Sequence, residues 1–481
     1  MLIIASVSLA AAQQTRPAPC RIPGVEGPAL CAAYPVWENR ASAAGRRIDL
    51  HVVILPALRK DHAPDPLFLL HGGPGAPATE FAAFYSRHPV RDRRDIVMID
   101  QRGTGRSNPL DCDLYGDPPD LRRVMTSQFP VDQVRACRER LEQSADLTQY
   151  TTAIAMDDVD EVRQWLGYGR INLWGGSYGT FAAQVYMRRH EPAVRAVVLE
   201  AVLPADEPAI LHHASAGQRA IDLLIERTRS SYPYLRDDFA AMFELIRRGA
   251  EVRVHDRGGR VAAVRPSVEA VFEGIRHRLY TDTGDTLAAL VHRAATGDLA
   301  PIVQAALDAQ IAIDSRLSMG LNLSVTCSED VPIIVPEMAA RETAGTFLGD
   351  LRIRDQQAAC AQWPRGDVPA DLHVPVHSAV PVLLMSGYRD PVTPPAFAER
   401  VAAQLPNSLH VVFPDASHGS RGECGRDLMT SFLERGSVRG LDTSCVARRG
   451  VSLPLIAAGF ATAIAAIVLI RYLRARRHGR A

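Results

Sequence analysis

Residues 175–179 read Gly-Gly-Ser-Tyr-Gly, the pattern G-x-S-x-G, with Ser177 at its centre. An apolar run that predicts a strand, 171–174, precedes the pattern, and a helix-like run, 180–189, follows it. In that setting the glycines allow a sharp turn from strand to helix that exposes the serine hydroxyl, and the N-terminus of the helix stabilises developing negative charge. The pattern predicts that Ser177 is a nucleophile.

A serine nucleophile needs a base, and the base needs an acid to orient it. His418 follows the apolar run 409–413, and Asp390 follows the apolar run 380–385. Both residues are then expected just past the carboxyl ends of strands, where ligands bind in open parallel sheets. We predict that His418 accepts the proton of Ser177 and that Asp390 orients the imidazole. Asp415, three residues before His418 on the same loop, is the competing acid.

A second glycine-rich turn, His-Gly-Gly-Pro-Gly at 71–75, follows the apolar run 66–70. Such a turn can aim a backbone N–H at the oxyanion that forms when a serine attacks a carbonyl group. The residue after the nucleophile supplies the second N–H. The predicted oxyanion-hole donors are therefore the backbone N–H groups of Gly73 and Tyr178.

The loop 100–107 contains Gly103 and Gly105 but lacks the third glycine of a dinucleotide-binding turn. We expect a structural loop in which Arg102 binds backbone carbonyl groups. The single lysine, Lys60, does not follow a glycine-rich loop, which argues against a phosphate-binding loop and against Schiff-base chemistry. The sequence predicts neither a metal nor an organic cofactor.

Positive and negative side chains balance, with 54 Lys and Arg residues against 54 Asp and Glu residues. No global positive field favours nucleic acid, so a nucleic-acid partner is not expected. With 47% hydrophobic and 22% charged residues, the composition is typical of a globular protein and not of a disordered or fibrous one.

Apolar runs with strand character alternate with helical patterns along the chain. The runs are 48–58, 66–70, 95–99, 171–174, 194–199, 380–385 and 409–413. Fully apolar strands that alternate with helices predict an α/β protein with a mostly parallel sheet and helices on both faces. Between about 205 and 370 helical patterns dominate, which predicts a helical insertion that covers the strand ends.

The two ends of the chain predict targeting segments. Residues 1–12 are small and aliphatic and end in an A-x-A-like site, which predicts a signal peptide. Residues 451–470 carry no charge and could cross about 30 Å of hydrocarbon, which predicts a transmembrane helix. The arginine-rich residues 471–481 then form a cytoplasmic tail by the positive-inside rule. We therefore expect a membrane-anchored protein with an extracytoplasmic catalytic domain, in the periplasm or at the cell surface.

The eight cysteines include no C-x-x-C pair of the kind used by zinc and redox sites, so disulfides are the better interpretation. Eight cysteines allow many pairings, and the sequence does not choose among them. We favour the pairing of nearest neighbours, which closes short loops. The pairs would be Cys20–Cys31, Cys112–Cys137, Cys327–Cys360 and Cys424–Cys445.

Four ordered motifs, at 71–75, 100–103, 175–179 and 390–394, resemble those of the prolyl iminopeptidases and tripeptidyl aminopeptidases of the α/β-hydrolase family. The motif 390–394 and the segment around Cys327 resemble the secreted tripeptidyl branch. The resemblance spans roughly 34–445. It implies an α/β-hydrolase fold whose core has two parts, 34–204 and 376–446, with a helical cap, 205–375, inserted after the sixth strand.

The resemblance also implies a serine exopeptidase that releases N-terminal residues or tripeptides, through an acyl-enzyme, from peptides with a free N-terminus. In the family, acidic residues bind the substrate ammonium, and the expected positions here are Glu329, Asp330 and Glu200. Glu200 departs from the family pattern, because Ala201 follows it where glycine is usual. A carboxylesterase or lipase would use the same three catalytic residues, and a catalytically inactive surface binding protein is a further alternative.

Overall fold

The computed structural model describes residues 16–281, 285–419 and 422–449. In these residues eleven strands form one sheet of nine strands and one sheet of two. The strands are β1 Ala18–Pro19, β2 Leu30–Trp37, β3 Arg47–Leu55, β4 Leu67–Leu70, β5 Ile96–Ile99, β6 Ile171–Gly176, β7 Val194–Glu200, β8 Val252–His255, β9 Val261–Val264, β10 Val382–Gly387 and β11 Ser408–Phe413.

Helices connect most of these strands. They are α1 Ala82–Tyr85, α2 Leu121–Val124, α3 Val131–Leu141, α4 Thr152–Trp165, α5 Tyr178–His190, α6 His213–Arg227, α7 Leu235–Arg247, α8 Val268–Arg278, α9 Asp285–Ala295, α10 Ala300–Asp314, α11 Met319–Val325, α12 Pro336–Thr343, α13 Leu351–Cys360, α14 Pro395–Ala402, α15 Gly422–Arg435 and α16 Ser444–Arg449. A π-helical segment, Thr326–Asp330, continues α11.

The large sheet has the strand order β1-β2-β3-β5-β4-β6-β7-β10-β11. The pairs β1–β2, β2–β3 and β3–β5 are antiparallel, and the other pairs are parallel. The chain adds β5 on one side of β4 and β6 on the other, so the strand order reverses between β4 and β6. In parallel sheets such a reversal opens a crevice at the carboxyl ends of the strands, where ligands bind.

Helices cover both faces of the sheet, as the apolar runs predict. In β4, Phe68 and Leu70 join one hydrophobic core, whereas Leu67 and Leu69 join a second core. The first core includes side chains of α4 and α5, and the second includes side chains of α1 and α15. Because successive side chains of a strand point to opposite faces, a central strand that is apolar throughout requires both layers.

A cap lies between β7 and β10 in the chain and consists of α6–α13 and the hairpin β8–β9. With the two-residue strand β1 set aside, β7 is the sixth strand of the large sheet. The hairpin was not predicted from the sequence, because its strands have only four residues each and lie among helical patterns. Val252 and Val254 are buried and Arg253 is exposed, the alternation of a strand covered on one face.

The predicted membrane-anchored architecture is corrected by the structure. Among the residues that the structure describes, no helix is both long and apolar enough to cross a membrane. The longest of these helices, α6 and α10, have 15 residues, or roughly 22 Å at 1.5 Å per residue, against about 30 Å of hydrocarbon. The predicted helix 451–470, its tail 471–481 and the predicted signal peptide 1–12 all lie outside the described residues.

Four disulfides join nearest neighbours in the sequence, which confirms the predicted pairing. They are Cys20–Cys31, Cys112–Cys137, Cys327–Cys360 and Cys424–Cys445. Within the cap, Cys327–Cys360 joins the segment Thr326–Asp330 to the last residue of α13. This crosslink holds two cap elements together that are 33 residues apart in sequence.

Candidate active site

Ser177 lies at the turn between β6 and α5, next to the strand-order reversal. Its backbone has φ 54° and ψ −123°. A residue other than glycine adopts this conformation only at a cost in free energy, and such strained residues are found at sharp turns in functional sites. The Ser177 N–H donates to the carbonyl oxygen of Glu200, at 2.9 Å, which ties the turn to the end of β7. The serine side chain is therefore held at the carboxyl edge of the sheet.

Two glycines make this turn possible. A Cβ atom on Gly175 would overlap the carbonyl oxygen of Gly179, and a Cβ atom on Gly179 would overlap the carbonyl oxygen of Leu70 at the end of β4. Both overlaps are with backbone atoms, which cannot rotate away. The first and last glycines of the motif are thus required by close packing of the turn against itself and against β4.

His418 lies between Ser177 and Asp390. Its Nε2 atom is 3.1 Å from the Ser177 Oγ atom, and its Nδ1 atom is 2.9 Å from each carboxylate oxygen of Asp390. The structure therefore brings together the three side chains that the sequence analysis singled out, in the order serine, histidine, aspartate. This arrangement can take a proton from the serine hydroxyl and hold the resulting imidazolium.

The loop after β10 holds the Asp390 carboxylate, which is 0% exposed. The backbone N–H groups of Val392 and Thr393 donate to its Oδ1 atom, each at 2.8 Å, and the Thr393 hydroxyl donates to its Oδ2 atom at 2.8 Å. The competing acid, Asp415, points elsewhere: its side chain is 64% exposed and accepts from Arg389 at 2.7 Å. The fold therefore selects Asp390 as the carboxylate that faces His418.

The cap contacts the loop that carries His418. The Ser417 hydroxyl donates to the carbonyl oxygen of Leu279, which directly follows α8. The Tyr280 ring packs against the His418 imidazole, with 4.6 Å between the ring centroids. The sequence analysis did not single out Tyr280, because this contact joins segments that are 138 residues apart.

The predicted oxyanion-hole donors lie beside Ser177. Tyr178 is the first residue of α5, so its backbone N–H has no acceptor within the helix. The turn after β4 approaches from the other side, and a Cβ atom on Gly72 would lie 3.0 Å from the Ser177 Cβ atom. Gly73 follows with φ 114°, in the region that favours glycine, and lines the same cavity as Ser177.

Ser177 and His418 line a cavity of about 770 Å³ that the sheet edge and the cap enclose together. Next to Ser177 the lining is largely aromatic and sulfur-containing, with Phe81, Trp174 and Met429 among its residues. The carboxylates in the lining are Glu80, Glu200, Asp314 and Glu423. A site of this size that combines an apolar wall with a few charged groups can take a small peptide or an ester of similar size.

One of the three predicted ammonium-binding acids lies in the cavity wall. Glu200, the last residue of β7, lines the cavity, and the Trp174 indole N–H donates to its Oε2 atom at 3.4 Å. Ala201, which follows it, has φ 59°. The backbone there has the left-handed conformation, which favours glycine over residues with a side chain.

The other two predicted acids lie behind the wall. The Glu329 carboxylate accepts from the Thr152 N–H at 2.6 Å and from the Thr152 hydroxyl at 2.7 Å, at the start of α4, and burial raises its pKa to about 8. Asp330 forms a backbone hydrogen bond with Ala209, and burial raises its pKa to about 7. Neither acid is among the described residues that line the cavity.

Asp314, the last residue of α10, is a cavity-lining acid that the sequence analysis missed. Burial, together with the nearby charge of Asp113, raises the pKa of Asp314 to about 7. No local pattern could have found it, because its place in the wall depends on how the cap folds back over the sheet.

Arg102 has the structural role that its loop predicts. Its side chain is fully buried and donates to the carbonyl oxygens of Glu38, at 2.7 Å, and Gln149, at 2.9 Å. It also forms a two-point ion pair with Asp158, at 2.6 and 2.9 Å. Arg102 thereby joins the first part of the core to α4. In the described part of the chain, no group of three or more His, Cys, Asp or Glu side chains is placed to hold a metal ion.

Comparison with known proteins agrees with this geometry. The sequence profile of the alpha/beta hydrolase fold family matches residues 65–420. The chain is 31% identical over 157 residues to a proline iminopeptidase of Neisseria gonorrhoeae, a stretch that covers 32% of this chain and 38% of that enzyme. It is 24% identical over 486 aligned positions to the serine protease Hip1 of Mycobacterium tuberculosis, covering 89% of this chain and 90% of that protein.

Among solved structures, the chain matches an esterase from Exiguobacterium antarcticum with a TM-score of 0.38 and 16% identity, covering 81% of this chain and 95% of that one. The chain spans about a third of the length of the curated proline iminopeptidases that it matches. These relatives confirm the resemblance that the four motifs predicted. Because the family match covers well over half of the residues, the chain belongs to the alpha/beta hydrolase fold family.

Proposed function

We propose that this protein is a serine aminopeptidase that releases N-terminal residues or tripeptides from peptides through an acyl-enzyme. The observation that carries the proposal is the hydrogen-bonded series of Ser177, His418 and Asp390 inside a capped cavity. Support for a peptide substrate comes from the relatives, which are named proline iminopeptidase and serine protease. The cap supports exopeptidase action, because a cavity that the cap partly covers admits the end of a chain more readily than its middle.

In the proposed reaction Ser177 Oγ attacks the scissile carbonyl carbon while His418 Nε2 accepts the hydroxyl proton. Asp390 bonds Nδ1, so the mobile proton of neutral His418 belongs on Nδ1 and Nε2 is left as the acceptor. The backbone N–H groups of Gly73 and Tyr178 bind the oxyanion. The imidazolium then protonates the leaving amine, and the peptide bond breaks.

Water completes the proposed cycle. His418 takes a proton from a water molecule, whose oxygen attacks the carbonyl carbon of the ester on Ser177. The same two N–H groups bind the second oxyanion, and His418 returns the proton to Ser177 Oγ as the ester bond breaks. No metal or organic cofactor has a part in these steps.

For the substrate ammonium we propose two of the four cavity-lining acids, Glu200, whose backbone carbonyl binds the Ser177 N–H, and Asp314, at the end of the cap helix α10. A carboxylate in a partly dry wall attracts a cationic N-terminus strongly, and it discriminates against an acetylated one. The ammonium would in turn favour the ionised form of Asp314, whose pKa burial raises to about 7. Glu329 and Asp330 are proposed instead to hold the start of α4 and the segment at Ala209 in place.

The proposal is tested with the purified protein and its Ser177→Ala variant, assayed on tripeptide arylamides with free and with acetylated N-termini and on a short-chain nitrophenyl ester. We expect Ser177-dependent cleavage of the free-amine arylamides and at least a tenfold loss in kcat/KM on acetylation, which equals about 1.4 kcal/mol. Equal rates on free and acetylated arylamides would exclude an aminopeptidase.

A carboxylesterase is the second candidate, and the apolar wall beside Ser177 favours it. Phe81, Trp174, Met385 and Met429 all line that part of the cavity and could receive an acyl chain. Ser177-dependent hydrolysis of the nitrophenyl ester, with no cleavage of any arylamide, would establish this alternative.

A further inference from the structure

The cap side of the cavity has a polar wall that the proposed reaction does not use. We call it the cap lobe and define it by six side chains that line the cavity: Gln128, His213, Arg276, His277, Gln310 and Arg352. Among the described residues, four of these side chains contain a buried polar atom without a hydrogen-bond partner: Gln128 Oε1, His277 Nδ1, Gln310 Oε1 and Arg352 Nε. In a fifth, His213, the Nδ1 atom lies 3.8 Å from the Glu273 carboxylate. Such a concentration of unpaired groups around a cavity indicates a site for a polar ligand.

Arg352 is the centre of the cap lobe. It is 5% exposed, its Nη1 group donates to Gln356 at 2.7 Å, and its guanidinium carbon lies 4.8 Å from the centroid of the Phe129 ring. These contacts hold the guanidinium in place, but neither partner is an anion. Nε remains without a hydrogen-bond partner among the described residues. A buried guanidinium without a paired carboxylate is costly unless an anion binds to it.

Three carboxyl groups, of Glu269, Asp330 and Asp355, lie near Arg352, and among the described residues none of them forms an ion pair with it. Burial raises the pKa of Glu269 to about 8, so this acid is mostly protonated at pH 7. Asp355 accepts from the Ser127 hydroxyl, at 3.0 Å, and from the Phe129 N–H, at 3.1 Å. Burial raises the pKa of Asp330, the third acid, to about 7. The guanidinium of Arg352 therefore keeps donor capacity for an anion that enters the cavity.

The remaining groups of the cap lobe are neutral or already paired. Arg276 forms an ion pair with Glu273, at 2.6 Å, and donates to the Tyr280 hydroxyl at 3.1 Å. Burial and then the charge of Arg276 lower the pKa of His213 to about 4, and burial lowers the pKa of His277 as well. Both imidazoles are therefore neutral at pH 7 and can donate or accept a hydrogen bond without adding charge.

The cap lobe is connected to the reactive centre. Tyr280, which accepts from Arg276, packs its ring at 4.6 Å from the His418 ring, and all three side chains line the cavity of about 770 Å³ that contains Ser177. A ligand that extends from Ser177 into the cap therefore meets this polar wall.

We propose that Arg352 forms the centre of a carboxylate-binding subsite in the cap lobe, which favours substrates that carry a carboxylate in addition to the scissile bond. A guanidinium offers parallel N–H groups that match the two oxygens of a carboxylate, and the neutral imidazoles and amides complete the hydrogen bonds. The carboxylate belongs either to an acidic side chain or to a peptide C-terminus. The substrate class rests on the proposed function, whereas the subsite itself rests on the cap lobe.

The test measures kcat/KM on tripeptide arylamides in which Glu or Gln occupies the first, second or third position in turn. Arylamides lack a C-terminal carboxylate, so this arm reports on acidic side chains alone. A second arm compares tripeptides with free and with amidated C-termini, which reports on the terminal carboxylate. We expect the wild-type protein to prefer the carboxylate substrate at least tenfold in one arm.

Arg352→Gln is the test variant, and Arg354→Gln is its matched control. Arg354 lies on the same helix but is exposed and pairs with Asp350 at 3.1 Å. We expect Arg352→Gln to lower the preference ratio at least tenfold and Arg354→Gln to leave the ratio unchanged. A ratio is used because a merely structural role of Arg352 would lower the rates on both members of a substrate pair equally.

Binding supplies a second measurement that does not depend on turnover. In the Ser177→Ala background, titration calorimetry with the preferred Glu tripeptide and its Gln counterpart should show at least a tenfold difference in Kd, which Arg352→Gln removes. Melting temperatures establish that each variant is folded. If both substrate arms show no carboxylate preference, or if the preference survives Arg352→Gln, the subsite proposal is wrong.

Failure of the proposed peptidase function can be distinguished from failure of the subsite by the substrates that are cleaved. If no arylamide is cleaved but esters are, the subsite is tested on mono-nitrophenyl glutarate against nitrophenyl butyrate, whose acyl chains differ by a terminal carboxylate. An Arg352-dependent preference for the glutarate would keep the subsite in an esterase. Equal rates on the two esters would reject the subsite without reference to peptides.

Discussion

Replacing Asp390 by asparagine keeps the size of the side chain and removes its charge. The carboxylate accepts from His418 Nδ1, from two backbone N–H groups and from the Thr393 hydroxyl. Asparagine can meet the backbone donors only with its amide oxygen, which turns its NH₂ group toward His418. With the NH₂ group in the place of Oδ2, 2.9 Å from Nδ1, the favoured tautomer of His418 accepts through Nδ1 and carries its proton on Nε2, where it faces Ser177.

That tautomer cannot take the proton of Ser177. The opposite orientation of the amide sets its NH₂ group against the N–H groups of Val392 and Thr393, which costs about 1 to 3 kcal/mol in unpaired buried donors. In the first orientation, which keeps the backbone donors paired, we expect kcat/KM to fall about 10³- to 10⁴-fold, which corresponds to roughly 4 to 5.5 kcal/mol of lost transition-state stabilisation.

The matched control is Asp415→Asn, the other acid that the sequence offered. Its carboxylate is 64% exposed and bonds Arg389 away from His418, so we expect kcat/KM within about twofold of wild type. Both variants are assayed on the best arylamide or ester substrate, and their melting temperatures are measured to separate lost chemistry from lost folding.

A folded Asp390→Asn protein that retains more than a tenth of the wild-type kcat/KM would refute this prediction, because the unproductive tautomer would then not be the favoured one. The prediction is equally refuted if Asp415→Asn is the more damaging variant. A large loss in both would indicate that the loop geometry, and not the Asp390 charge, controls His418.

Three further substitutions test the framework around the site. Glu329→Gln should stabilise the protein relative to wild type at pH 9 but not at pH 5. Because burial raises the pKa of Glu329 to about 8, the wild-type protein loses unfolding free energy as the pH rises from about 4.5 to 8. Chemical unfolding at pH 9 should show a difference of at least about 1.4 kcal/mol between the two proteins. Arg102→Met removes the two-point ion pair with the buried Asp158 carboxylate, which keeps only its ion pair with Arg40, and should cost about 3 kcal/mol of unfolding free energy in a denaturant titration. Gly179→Ala places a Cβ atom against the Leu70 carbonyl and should lower both the melting temperature and kcat.

Each of these expectations has a contrary result. A pH-independent effect of Glu329→Gln would mean that the carboxylate is ionised throughout, as a substrate-binding acid open to water would be. If Arg102→Met has the unfolding free energy of wild type, the contacts of Arg102 do not stabilise the loop 100–107. An unimpaired Gly179→Ala protein would show that β4 and the Ser177 turn are farther apart than the structure places them.

Residues that are close in sequence could be identified without the fold. The strand–turn–helix around Ser177 depends on five successive residues, because the glycines and the flanking apolar runs act locally. The alternation of apolar runs and helices predicted a parallel sheet covered on both faces, since a strand buried on both sides has to be apolar throughout. The nearest-neighbour disulfides are local in the same sense.

Local patterns also led to one wrong prediction and left one element unrecognised. The charge-free stretch 451–470 predicted a membrane helix from its length alone, and the residues that the structure describes contain no helix of that kind. The hairpin β8–β9 escaped notice because four-residue strands have too few alternations to stand out from helical surroundings.

The sequence by itself determined which residue types could act: one serine at a sharp turn, one histidine and two candidate acids on loops after strands. Only the tertiary structure decided that Asp390 and not Asp415 faces His418, and that Glu200 and Asp314, in place of Glu329 and Asp330, line the cavity with Arg352. The physical reason is that side-chain direction at a loop, and burial within a cap, follow from the packing of segments far apart in the chain. No local pattern encodes that packing.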